Sequence, residues 1–118
     1  MSQLFRIMIL VAVLGGMAVP AHAQNVAAGQ AKFGQLCATC HGAAGKGDGP
    51  AAAGLTPKPR NFQDAAYMGK RTDADLKKVI QEGGAAAGMS PVMPPWKASL
   101  AEQDVANLIA FIRSLGKK

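Results

Sequence analysis

Cys37-Ala38-Thr39-Cys40-His41 sets two thiols three positions apart, with an imidazole directly after the second. Thiols at that spacing can each add across one vinyl group of a porphyrin, and the adjacent imidazole can then bind its iron. C-x-x-C-H is the attachment pattern of c-type haem. The chain has only two cysteines in 118 residues, and both lie in this pentapeptide. A zinc site would need further soft ligands beyond Cys37, Cys40 and His41. A thioredoxin-like C-x-x-C should follow a strand in an α/β pattern, whereas this one follows a helical pattern. One covalently bound haem c is therefore expected, with Cys37 and Cys40 as its thioether anchors and His41 as an iron ligand.

A second axial ligand has few sources. The other histidine, His22, lies in a predicted leader, so bis-histidine ligation would need a second chain. Three methionines remain downstream of the motif: Met68, Met89 and Met93. Met93 precedes Pro94-Pro95, and a residue before proline is pushed out of the helical region into an extended shape. The two prolines stiffen the strap and lower the entropy cost of holding a thioether in place. Met89 sits in the looser Gly88-Met89-Ser90-Pro91, and Met68 lies before Gly69 in an ill-defined segment. Met93 is the expected ligand, with Met89 the alternative; without the haem motif all three would read as core filler.

These groups need elements to position them, and the pattern is all-α. Val26, Gly29, Phe33 and Leu36 recur at three- and four-residue spacing, predicting a helix from Asn25 to Leu36 that runs into the motif. Five glycines and three prolines make Gly42–Arg60 a loop, and Asn61–Met68 reads as a short helix or turn. Thr72 and Asp75 form a capping pair for a helix whose buried stripe is Leu76, Val79 and Ile80, ended by Gly83-Gly84. A second loop, Ala85–Ala98, holds Met89, Met93 and Trp96. Ser99 and Glu102 predict the capping box of a last helix with stripe Leu100, Val105, Leu108, Ile109, Phe111, Ile112 and Leu115.

Arg6, an apolar run from Ile7 to Val19, and Pro20-Ala21-His22-Ala23 have the layout of a secretory signal peptide cleaved after Ala23. The run is shorter than the ~20 residues a helix needs to cross a bilayer, so no permanent membrane anchor is expected. The remaining 24–118 is one domain, placed in the periplasm. It keeps twelve basic against seven acidic side chains. No basic run exceeds two residues and none is interleaved with aromatics, so nucleic acid is not an expected partner. A basic rim from Lys46, Lys58, Arg60, Lys70, Arg71 and Lys97 would instead suit redox partner proteins with acidic docking faces. A monomer is expected.

The sequence resembles the class I monohaem c-type cytochromes of the small bacterial periplasmic kind. The likeness rests on Gly29-x-x-x-Phe33-x-x-x-Cys37, the haem motif, the Gly49-Pro50 step, Met93-Pro94 and the segment Asn107–Ile112. The stretch Cys40–Pro50, C-H-G-x-x-G-x-G-D-G-P, and Gly88–Trp96 are similar to a subgroup, some of whose members are domains of oxidase or dehydrogenase complexes. The resemblance implies that the first and last helices cross nearly at right angles, with Gly29 the close-approach point against Leu108 and Phe111. It also implies that a proline carbonyl accepts the free N–H of the ligating histidine, and Pro50 is the matching position. Arg60, Tyr67 and Trp96 are candidates to hydrogen-bond a haem propionate, while Trp96 equally fits a half-buried packing residue.

Three function classes follow: a diffusible one-electron carrier cycling Fe(III)/Fe(II) under His/Met ligation, a haem subunit docked on a larger periplasmic oxidoreductase, and a haem enzyme or gas sensor. The third needs an open sixth position, which the braced Met93 disfavours. No triad, carboxylate pair or phosphate loop is present, so an electron-transfer protein rather than an enzyme is expected. N-terminal sequencing of the mature protein should begin at Gln24; a chain beginning at Met1 would contradict the leader.

Overall fold

Asn25 starts the fold and also closes it. Its side-chain oxygen accepts the Ala28 N–H at 3.0 Å, capping α1 (Val26–Leu36), and its own N–H donates to the Asn107 side chain of the last helix at 2.9 Å. The computed structural model describes residues 15–16 and 23–117. Almost all of the predicted leader, 1–23, lies outside the described residues. Among those described, the elements are α1, α2 (Ala38–His41), α3 (Ala65–Gly69), α4 (Asp73–Glu82) and α5 (Glu102–Leu115), with two 3-10 turns, Ala52–Gly54 and Ala85–Ala87, and no strand. None of these helices is long and apolar enough to cross a membrane.

The α1–α5 contact is the most extensive between any two elements. It depends on Gly29. A Cβ there would lie 2.0 Å from the Asn107 carbonyl oxygen and 3.0 Å from the Phe111 Cβ, so the backbones approach as closely as a bare glycine permits. The close approach is thus to Asn107 and Phe111, one residue removed from the expected Leu108. Phe33, one turn on, is 1% exposed and packs edge-on to Phe111, ring centroids 5.0 Å apart. Leu108, Leu115 and Val105 are the other most completely buried side chains, so the core belongs largely to the two ends of the chain.

α4 begins as its sequence predicts. Thr72 Oγ1 accepts the Asp75 N–H at 3.1 Å and the Asp75 carboxylate accepts the Thr72 N–H at 2.8 Å. That backbone bond holds the Asp75 carboxyl below its usual range, so the cap persists as pH falls until the carboxylate is protonated. The start of α5 differs from expectation. Ser99 and Leu100 both donate to the Trp96 carbonyl, forming a turn that buries Leu100, and the helix begins at Glu102. The Asp104 carboxylate takes the Ala101 N–H at 3.0 Å, while Glu102 instead meets Lys77 and Gln81 of α4 at 2.8 and 2.9 Å.

α3 overlaps the segment expected as helix or turn, ending one residue beyond it at Gly69, and is capped by Asp64, whose carboxylate accepts the Tyr67 N–H. Arg113, a residue the periodicity did not single out, ties the end of α5 to the α3–α4 junction. Its guanidinium donates to the Met68 carbonyl, the Arg71 carbonyl and the Asp73 carboxylate.

The two glycines of α1 should respond oppositely to alanine. Gly29→Ala is expected to cost about 1–3 kcal/mol, because the backbone contact outweighs the helix-propensity gain. Gly34, exposed on the same helix with open space around it, should gain roughly 0.5–1 kcal/mol as Gly34→Ala. Thermal unfolding of both variants checks the pair; equal shifts would contradict the close approach.

Candidate functional site

Cys37 joins α1 to α2. Its N–H donates to the Phe33 carbonyl at 2.8 Å, and its carbonyl accepts the His41 N–H at 2.9 Å. The motif therefore forms a single helical turn, and Cys37, Cys40 and His41 all border one cavity of about 600 Å³. That volume lies within the ~300–1,000 Å³ usual for cofactor sites. Both cysteines are half-buried, and they are not joined to each other by a disulfide. Burial first, and the neighbouring Cys40 second, push the Cys37 thiol up to about 11, so it stays protonated at neutral pH. Among the described residues, no three His, Cys, Asp or Glu side chains form a group that could hold a metal ion.

His41 is held on several sides. Its ring stacks on Phe62, centroids 4.5 Å apart and planes 19° from parallel, and tilts against Phe33 at 6.4 Å. Nδ1 lies 3.2 Å from the Arg60 carbonyl oxygen. With the proton on Nδ1 donated there, Nε2 keeps its lone pair, the state a metal ligand requires. Burial lowers the imidazole pKa, with the Arg60 bond opposing it more weakly, so the neutral ring is favoured.

The acceptor is thus Arg60, and the expectation for Pro50 is corrected. Pro50 is exposed and does not border the cavity. It sits in a turn behind α2, where Gly49 and Ala51 donate to the Cys40 and Thr39 carbonyls. The chain then travels through the Ala52–Gly54 turn and returns over His41 at Pro59-Arg60. Gly47 makes room for that return. Its φ is +78°, and a Cβ there would lie 2.3 Å from the Pro59 carbonyl oxygen.

Arg60 does two things. Its carbonyl meets His41, and its guanidinium lies 4.7 Å from the centre of the Tyr67 ring, which Arg71 approaches at the same distance. Arg60, Tyr67 and Trp96 all border the cavity, Trp96 half-buried. Of the basic rim, Lys58 and Arg60 border the cavity, Lys46, Lys70 and Lys97 are exposed elsewhere, and Arg71 is partly buried.

The methionines separate. Met68 is 5% exposed inside the hydrophobic core and does not reach the cavity, so it is packing. Met89 and Met93 both border it. The strap carrying Met93 is seated on the end of α4, where the Trp96 and Lys97 N–H groups bond the Ile80 and Gln81 carbonyls at 2.9 and 3.1 Å. Those carbonyls belong to the last turn of a helix and would otherwise lack partners. Leu76, Val79, Ile80, Leu108 and Ile112 complete an apolar wall. The donor set and the lining together fit a large flat apolar cofactor with an iron centre.

The composition of the motif gave no sign of Phe62, which stacks on the histidine. Its place beyond Pro57-Lys58-Pro59-Arg60-Asn61 was the available signal, since a lone aromatic after a rigid segment has a defined target.

Comparison with known proteins places the chain in a family. The cytochrome c family model matches residues 26–116. The chain is 39% identical over 95 residues to cytochrome c-554(547) of Halothiobacillus neapolitanus, covering 79% of this chain and 99% of the relative. It is 30% identical to cytochrome c-554(548) of Halomonas halodenitrificans, covering 78% and 98%. Among solved structures it is similar to the c-type cytochrome KustC0563, with TM-score 0.61 and 30% identity over 74% of this chain and 95% of that one. It also resembles a chain of the Kuenenia stuttgartiensis reducing HAO-like protein complex, with TM-score 0.64 and 27% identity over 80% of this chain and 44% of that one. The chain belongs to the cytochrome c family: it is a helical class I monohaem c-type cytochrome that carries covalently attached haem and transfers electrons to partner proteins.

Proposed function

We propose that the chain is a periplasmic one-electron carrier whose haem is anchored by Cys37 and Cys40 and ligated by His41 and Met93. The observation that carries this reading is the cavity, which His41 enters from a helical turn and Met93 from a strap seated on α4. The bound haem supplies a one-electron Fe(III)/Fe(II) couple. The protein's part is positional. The Arg60 carbonyl and the Phe62 ring fix the plane and tautomer of His41, and the proline-braced strap delivers a neutral sulfur that favours the reduced state. Leu76, Ile80, Leu108 and Ile112 exclude water from the reacting centre. Arg60, Tyr67 and Trp96 would hydrogen-bond the propionates, a reading supported by their all bordering the cavity and by the Arg60 guanidinium lying over Tyr67. Lys58 and Arg60 bring positive charge to the cavity border, where it can steer acidic partners.

A second reading, a subunit that stays docked in a larger oxidoreductase, draws support from the similarity to a chain of the reducing HAO-like complex. Stoichiometric co-purification with a partner would favour it over the freely diffusing carrier.

Met93→Ala should abolish the near-infrared sulfur-to-iron charge-transfer band of the oxidised protein and let the reduced protein bind carbon monoxide. Met89→Ala should leave both properties as they are; retention of the band in Met93→Ala would remove Met93 as ligand. Electron exchange with an acidic partner should slow as ionic strength rises past ~0.1 M, where the Debye length is about 10 Å. A rate independent of salt would remove the steering role of Lys58 and Arg60.

A further inference from the structure

The end of α4 carries two glycines, and both lie against the strap. Gly83 has φ +83°, in the left-handed region that glycine alone adopts freely, and a Cβ there would lie 3.0 Å from the Met93 carbonyl oxygen. Gly84 has φ −65° and ψ −39°, ordinary helical dihedrals that any residue accepts. Conformation therefore gives no reason for a glycine at position 84, but space does. A Cβ there would lie 2.0 Å from the Ser90 carbonyl oxygen and 3.2 Å from the Met93 Cβ. The nearer atom is main chain, so no side-chain rotation relieves the contact.

Both main-chain groups of Gly84 face the same strap. Its N–H donates to the Met93 carbonyl at 3.0 Å, and its carbonyl accepts the Met89 N–H at 2.8 Å. One residue thus pins both ends of the 89–93 turn, and the Trp96 and Lys97 bonds to Ile80 and Gln81 continue the seam. We infer that Gly84 is the positioning residue for the sixth haem ligand: its bare α-carbon and its bond to Met93 set the depth at which the strap lies on α4, and with it the reach of the Met93 thioether into the cavity. The inference rests on Met93 being that ligand. The magnitudes favour a large effect. Restoring ordinary contact around an added methyl means moving the Ser90 carbonyl by more than about 1 Å from its 2.0 Å position. Ligating groups must hold their place to within ~0.5 Å.

Ala86 supplies the comparison within the same loop. It is exposed in the Ala85–Ala87 turn and does not border the cavity, so Ala86→Gly loosens the main chain without touching the strap. In the holoprotein, Gly84→Ala is expected to keep its covalent haem, lose the near-infrared band, bind carbon monoxide when reduced, and show a lower reduction potential. Ala86→Gly is expected to retain the band and resist carbon monoxide. Retention of the band and of carbon monoxide resistance in Gly84→Ala overturns the inference, as does equal loss in both variants, which would mark general loosening of the loop. If Gly84→Ala yields no holoprotein, amide exchange in the unaltered holoprotein reads the same contact. The Gly84 amide should be protected like the interior of α4, and exchange at the rate of an open loop overturns the inference. Met93→Ala measured alongside separates the two claims. A band that survives there removes the ligand assignment, whereas a band lost there but kept in Gly84→Ala removes only the role of Gly84.

Discussion

The contact of α1 with α5 at Gly29 is the constraint on which the rest of the molecule depends. Between these helices the chain spends most of its length in loops and short turns, which cannot bury enough apolar surface to hold themselves. The most buried side chains, Phe33, Val105, Leu108 and Leu115, come from the two end helices, so the ends of the sequence close the fold around its middle. α5 is shared by every part. One side takes Gly29 and Phe33, Leu108 and Ile112 border the cavity, and Arg113 and Glu102 fasten α3 and α4.

The cavity itself is held mainly by main-chain hydrogen bonds between loops. The Arg60 carbonyl meets His41, the Gly84 N–H meets the Met93 carbonyl, and Phe62 donates to the Gly45 carbonyl beneath the histidine. Such bonds position groups well but contribute only about 0.5–1.5 kcal/mol each. A domain of this size with few aromatics gains much of its remaining cohesion from the covalent cofactor, which occupies the space that a Phe/Trp cluster fills elsewhere. Cofactor binding and fold stability are therefore coupled.

Legibility from sequence divides along this line. The helices of Val26–Leu36 and Asp73–Glu82 were readable because cap and stripe lie within one local window, as Thr72 with Asp75 shows. The cofactor was readable because the C-x-x-C-H pattern occupies five consecutive residues, Cys37 to His41. The start of α5 was misread at Ser99, where two capping patterns overlap and the burial of Leu100 selects the later one. Pro50 was misassigned because the histidine's acceptor is a main-chain carbonyl, which every residue has and no side chain announces.

By itself the sequence determined the chemistry: thiols and an imidazole at fixed spacing, a methionine braced by two prolines, and helices whose periodicity demands a partner face. These are short-range properties, set by bond geometry within a turn or two. Only the tertiary structure decided which carbonyl orients His41, which methionines reach the cavity, and where a glycine is needed for room and not for its dihedrals. Those outcomes join residues far apart in the chain, such as His41 with Arg60 and Gly29 with Asn107, and packing alone brings them together.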